Sequence, residues 1–324
     1  MTTATYRHRR ARPARGGYGF RAVALMEWRN LRTVGSTWWI VAVFAAAMIG
    51  LAVLALSHEN YAQMSAADRA SFDPTHDCFI GLILGQLLTG ALGVLAMTTE
   101  FSSGMIRATF AAAPRRPLVL AAKAAVLGAV TLAAGEISAF AAFIAGQAAL
   151  IAPAPPATLS QPGVLRAVAM AGAYPALIAL VGLGIGAIIR HTAGAICTLV
   201  GVLFVLPLLF TPLSSSIQDA AQNFLPHPMA NTMTAVKPLA HTLPPGLTLG
   251  LLCAYAMGIG VPFLVTALGI ASSPRLAERL RRMGPGLERV SGALLVVLGV
   301  LLATNTYIHL TSYLARFVPA VHGL

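Results

Sequence analysis

An all-α protein that crosses a membrane several times is the architecture this sequence predicts, on three observations. Apolar residues make up 57% of the chain and charged ones 10%, where ordinary soluble domains carry roughly a quarter charged. The apolar residues fall into long runs near the ~20 residues that a helix needs to cross the hydrocarbon layer. The formal net charge of +12 is concentrated in alternate gaps between those runs, where the excess of Lys and Arg in cytoplasmic loops would put it. The prediction is a polytopic integral membrane protein with about seven transmembrane helices behind an interfacial amphipathic helix, N-terminus in and C-terminus out. In a soluble protein this charge would suggest nucleic acid; flanking the spans it follows from topology, and no nucleic-acid partner is expected.

Residues 1–17 are polar and arginine-rich and are expected to be disordered. Arg9-Arg10 lies too far from the first apolar run for a twin-arginine signal, and the basic stretch is too long for a cleavable signal peptide. Over residues 18–37, Phe20, Val23, Ala24, Met26, Trp28 and Leu31 alternate with Arg21, Glu27, Arg29, Asn30 and Arg32, the pattern of a helix lying in the membrane surface. Span 1 covers about 38–56, opened by Trp38 and Trp39, and the acidic loop after it (Glu59, Asp68, Asp73, Asp77) belongs outside. Span 2, about 78–97, has Gly81 and Gly85 spaced for close helix contact. An inner loop over 98–123 leads to span 3, about 124–151, which Pro153, Pro155 and Pro156 follow. Span 4 is about 167–189, Arg190-His191 an inner turn, and span 5 about 192–212. An outer loop (214–245), span 6 (about 246–271), an arginine-rich inner loop (272–289), span 7 (about 290–308) and an outer tail (316–324) complete the chain. Only Arg69, Arg166, Lys237 and Arg316 fall outside on this assignment.

The inner loop Thr98–Lys123 holds the dense polar cluster of the first half. Glu100 is followed by Ser102, Ser103 and Gly104, then Arg107 and Thr109, a Pro-Arg-Arg-Pro corner containing Arg115 and Arg116, and Lys123. A short amphipathic helix between such stop signals suits docking of a cytoplasmic partner. For Arg115 and Arg116, flanking charge explains the residues as well as docking does. Glu100 stands against the local positive trend, and a helix-capping or arginine-pairing role fits it.

Glu136 is the ionisable residue in the middle of a span. Such a carboxylate faces a cavity or a partner, or is hydrogen-bonded within the bundle; the first case would put it on a translocation path. Asp73, His76 and Asp77 resemble a metal cluster superficially, and a solvated acidic loop explains them better. Cys78, Cys197 and Cys253 are far apart in apolar runs, which indicates neither a disulfide framework nor a zinc site. No phosphate-binding loop, HExxH or Ser-His-Asp pattern is present in the sequence, so no enzyme chemistry and no cofactor are expected on this chain.

The series Glu-Phe-Ser-Ser-Gly-Met-Ile-Arg-Ala-Thr, Pro-Arg-Arg and Ala-Lys within 98–123 resembles the cytoplasmic loop of type-2 ABC-transporter permeases, with Met105 where that family usually has Thr. Glu-Trp-Arg-Asn-Leu-Arg-Thr in the first helix and Arg-His-Thr-Ala-Gly-Ala at 190–195 extend the resemblance over about 18–255. It implies that the loop forms a coupling helix seated on a separate ATP-binding subunit, where ATP and Mg would bind. It also implies a homodimer or heterodimer of permeases in the plasma membrane, surrounded by lipid, and export of an apolar or amphipathic compound. Glu100, Gly104, Arg107, Thr109, Arg115 and Arg116 would then be the docking residues and Glu136 the candidate path residue.

The C-terminal part differs. Ala-Tyr-Ala-Met-Gly-Ile-Gly-Val-Pro-Phe-Leu at 254–264 and Leu-Glu-Arg-Val-Ser-Gly-Ala-Leu-Leu-Val at 287–296 resemble the last two spans of CcdA-type proteins. Those are membrane thiol–disulfide carriers of cytochrome c biogenesis. The organisation expected is a permease-like domain over 38–255 and a two-helix CcdA-like tail over 256–315, with a seam near 246–255. The resemblance implies a redox function as the alternative, although the cysteine pair that such carriers use would lie before this tail. A non-transporting membrane protein whose loop no longer couples to a partner is a further alternative.

Overall fold

The first described helix, α1 (Phe20–Thr33), turns one narrow stripe inward: Val23 and Glu27 are buried while Arg21, Arg29 and Arg32 are exposed. Extended backbone at Val34 ends it, and α2 (Gly35–His58) starts at once in a new direction. The Trp38 indole donates to the Arg32 carbonyl at 3.2 Å and stitches the bend. The structure is a computed structural model that describes residues 19–59, 61–105, 116–207, 223–237, 242–254 and 256. Residues 1–17, span 7 and nearly all of the 256–315 tail therefore lie outside the described residues.

Between the first two spans come a 3-10 turn (Tyr61–Gln63), α3 (Ala66–Ser71) and α4 (Pro74–Asp77). Then α5 (Leu82–Ser102), α6 (Arg116–Ala149) and α7 (Val164–Ile189) cross the bundle. α8 (Thr192–Val200) runs on into a π turn at Gly201–Val205. α9 (Pro226–Thr234) and a short apolar helix, α10 (Pro245–Ala254), follow. Among the described residues there is no strand, and four helical stretches are long and apolar enough to cross a membrane: Gly35–His58, Leu82–Ser102, Leu118–Ala149 and Val164–Ile189. Seven spans were expected; where the fifth and sixth were placed, the described residues hold the shorter apolar helices α8 and α10. The protein is thus an all-helical membrane protein, and the four spans are its described core.

Two expected boundaries move. α5 continues to Ser102, so Glu100 lies in its last turn and not in a loop. α6 begins at Arg116 with Pro117 in its first turn, a position where the missing proline N–H costs nothing. Lys123, expected at the end of the inner loop, is therefore inside a helix.

α7 is the axis of the bundle. It packs on α5 and α6, α2 packs on α6 and α5, and α1 lies along α6. α7 is the most buried of the four spans and α2 the least. The α5–α7 approach depends on glycine: a Cβ at Gly93 would collide with the Ala179 carbonyl, and one at Gly182 with that of Gly90. Gly81 and Gly85 serve α2 instead, admitting the Met48 backbone and the Phe44 ring.

The ends of the bundle differ. At one end, the Asp73 carboxylate caps α4 by accepting from the backbone N–H groups of Thr75 and His76, and also accepts from those of Val236 and Lys237. His76 Nδ1 lies 2.9 Å from Thr234 Oγ1, and Gln147 of α6 donates to the Pro74 carbonyl at 3.0 Å. The acidic loop is a clasp between elements distant in sequence. Among the described residues no group of three or more His, Cys, Asp or Glu could hold a metal ion.

Candidate functional site

At the opposite, basic end, three helices meet on three charges. On α1 the inward stripe Val23–Glu27–Leu31 carries an acid in its middle. On α6 the stripe Val119–Lys123–Leu127 carries a base at the corresponding place, and Glu100 hangs from the last turn of α5. Lys123 Nζ donates to Glu27 Oε2 at 2.6 Å and to Glu100 Oε1 at 2.5 Å. All three residues are almost sealed, at 1% (Glu27), 4% (Glu100) and 5% (Lys123) exposure. The remaining oxygens, Glu27 Oε1 and Glu100 Oε2, are buried with no hydrogen-bond partner among the described residues. Burial raises the pKa of Glu27, the Lys123 charge and hydrogen bond pull it down, and the Glu100 carboxylate pushes it up again, leaving it above the usual carboxylate value. A cavity of about 270 Å³ adjoins the triad, walled by Leu31, Thr37, Leu92 and Leu95 as well as by the three charged residues.

Around the triad the chain is closed off carefully. Gly104, at φ +71, stops α5, with Ser103 N–H donating to the Thr99 carbonyl and Gly104 N–H to that of Phe101, a left-handed glycine stop. Arg190, itself left-handed at φ 55, places its guanidinium 5.1 Å from the centre of the Phe101 ring. The Thr192 hydroxyl donates to Thr98 Oγ1 at 3.0 Å.

Of the residues expected to dock a partner, Glu100 is turned into the bundle, and Gly104 is exposed where the loop leaves it. Arg107, Thr109 and Arg115 lie outside the described residues. Arg116 is the first residue of α6, and its side chain is outside them too. Glu136 is half-buried on α6, its carboxylate seated where Gly172 of α7 leaves room for it. It has no hydrogen-bond or ion-pair partner among the described residues.

Glu27 and Lys123 were visible only as members of a polar face and a loop end. The signal that finds them is their register: each occupies an apolar position of its helix, four residues from an apolar neighbour on either side. A second polar group was also missed: Tyr174 OH donates to Gln86 Oε1 at 2.7 Å, and Gln86 Nε2 lies 3.4 Å from His227 Nδ1. The cysteines are free. Cys78 is buried beside the Pro74 carbonyl and Gln147, while Cys197 and Cys253 sit on α8 and α10.

A search of known protein families finds none that matches this chain. Among curated proteins, the cytochrome c-type biogenesis protein CcdA of Halalkalibacterium halodurans is 35% identical over 80 residues, which are 25% of this chain and 33% of that protein. The match thus spans about a third of the relative's length. It is to the same family that the C-terminal segment resembles, and none of the matches found is to a type-2 ABC permease. A membrane protein that is similar to CcdA over part of its length is what these findings establish.

Proposed function

We propose that the chain is the membrane-spanning permease subunit of an ATP-driven transporter in the plasma membrane, exporting an apolar or amphipathic compound. A separate polypeptide would bind ATP and Mg, and a second permease would complete the path. The observation that carries this reading is the Glu27–Lys123–Glu100 triad. It ties the surface helix, the helix before the 98–123 loop and the helix after it into one unit, so a push on the loop moves all three together. Such a connection has a purpose where a partner acts on the loop. The resemblance of that loop to the coupling segment of type-2 permeases supports the same reading.

A second reading is a CcdA-type thiol–disulfide carrier, and the similarity to CcdA supports it more directly than any match supports the permease. Against it stands the dispersal of Cys78, Cys197 and Cys253 over three separate elements.

Copurification with an ATPase encoded beside this chain, followed by assay of ATP hydrolysis, separates the two. The permease reading expects stimulation by the chain and its loss in an Arg107→Ala/Arg115→Ala variant that still folds. If no ATPase binds, and a mixed disulfide with a thioredoxin-class protein is instead trapped at one of the cysteines, the carrier reading replaces it.

A further inference from the structure

The triad is unbalanced: two carboxylates face one ammonium. If all three groups are ionised, a net negative charge is left in a place where each residue is at most 5% exposed. An uncompensated buried charge is costly, and a group so placed takes up or loses a proton to avoid it. Water does not reach the two spare oxygens, and no described donor serves them. A metal cation does not fit: hard cations want several oxygen ligands, and here two oxygens stand beside an ammonium that repels it. A proton needs no room.

We propose that the Glu27–Lys123–Glu100 triad is a proton-binding site whose carboxylate pair holds one proton while α1, α5 and α6 are packed together and releases it when they part. The proton comes from solvent onto a carboxylate oxygen, and it returns to solvent through the adjoining cavity. The two carboxylates share the proton by geometry, since both reach the same Lys123 Nζ. Among the described residues, the ionisable groups facing the pair are Lys123 from α6 and each glutamate toward the other. α2 offers only Ser36 and Thr37 at the cavity wall, and Arg190 of α7 is turned over the Phe101 ring next to Glu100. The inference stands whether the chain is a permease or a thiol carrier, because it depends only on these three helices.

The sign of the effect follows from linkage. The packed state binds a proton that the separated glutamates lose above ~4.3, so the triad's contribution is full at low pH and falls as pH rises through the value of Glu27, which burial raises. The experiment uses the full chain in detergent, in a Glu136→Gln/Asp77→Asn background. This removes the half-buried carboxyl of α6 and the one that burial pushes up to about 6, either of which would add to the signal. Thermal unfolding is followed from about pH 4 to about pH 9, and the infrared C=O band of protonated carboxyls is followed over the same range. The parent is expected to lose midpoint temperature and the protonated-carboxyl band together as pH rises. Glu27→Gln or Glu100→Gln should keep the neutral-pH midpoint within about 2 °C and flatten the pH dependence. Lys123→Met, which removes the cation, should shift the profile so that the variant is stable only at lower pH. If the parent shows neither the band nor the slope, the triad is fully ionised and the proposal fails. It fails equally if both Gln variants fold but unfold far below the parent at neutral pH. Should the Gln variants not fold, the parent's own band and its titration decide.

Discussion

Asp73 shows how much one side chain can hold. Its two oxygens accept four backbone hydrogen bonds, two within α4 and two from the segment after α9. Asp73→Ala removes an N-cap worth ~1 kcal/mol and also orphans the N–H groups of Val236 and Lys237. A loss of roughly 2–3 kcal/mol in thermal unfolding is expected. Beside it, Asp77 is pushed up to about 6, first by burial and then by the Asp73 and Glu59 carboxylates. Between the usual aspartate value and about 6 the folded chain binds a proton that the unfolded chain does not, so this group makes stability fall as pH rises through that window. Burial lowers the His76 pKa, which acts in the opposite sense: stability is lost as pH falls below the free histidine value. Asp77→Asn should therefore remove this fall and leave the opposing histidine contribution at this end of the bundle, measurable as a less negative slope of midpoint against pH below about 6. Within the bundle, Tyr174→Phe leaves Gln86 Oε1 without its donor in a sealed site, and ~1–3 kcal/mol is the expected cost by chemical denaturation.

At the scale of elements, the α5–α7 contact rests on backbone touching backbone. Gly93→Ala puts a methyl group into the Ala179 carbonyl, and neither partner is a flexible side chain that could swing away. This variant should lower the unfolding midpoint by several degrees, at ~2–4 °C per kcal/mol for a chain of this class, whereas Gly50→Ala, which meets nothing within 4 Å, should not. The four described spans were legible in the sequence because hydropathy alone defines them. Their ends were not, and Glu100 and Lys123 show why. A charged residue in a sequence reads as the start of a loop, but two opposite charges that satisfy each other can be carried inside helices. Pairing between α1, α5 and α6 is a long-range fact that no local window contains. Glu27 was obscured in the same way, among arginines that really are solvated.

For the whole molecule, alternation of ends is a property of the packing. Glu27, Glu100, Lys123 and Arg190 gather at one end of the bundle, and Asp73, His76, Gln147 and Lys237 at the other. Which end faces the cytoplasm is an expectation from charge. Single cysteines at Arg29 and Asp68, both exposed, should react with an impermeant thiol reagent from opposite sides of intact cells, with Asp68→Cys labelled from outside and Arg29→Cys only after permeabilisation. The reverse pattern would invert the topology. Residue types at the basic end pointed to a partner, but the proton balance of its triad could be seen only once three helices were placed together.

The length of α6 has a mechanical meaning. Its 34 residues span ~51 Å at 1.5 Å per residue, well beyond a ~30 Å hydrocarbon layer. It meets α7 backbone to backbone at Gly135 and Gly172, with the Glu136 carboxylate seated beside the contact. A stiff rod held at that crossing is a lever with arms of ~28 Å toward Arg116 and ~21 Å toward Ala149. Displacing the basic end by a few ångströms would therefore swing Gln147, ~18 Å from the crossing, and with it the Asp73 clasp, about two thirds as far in the opposite sense.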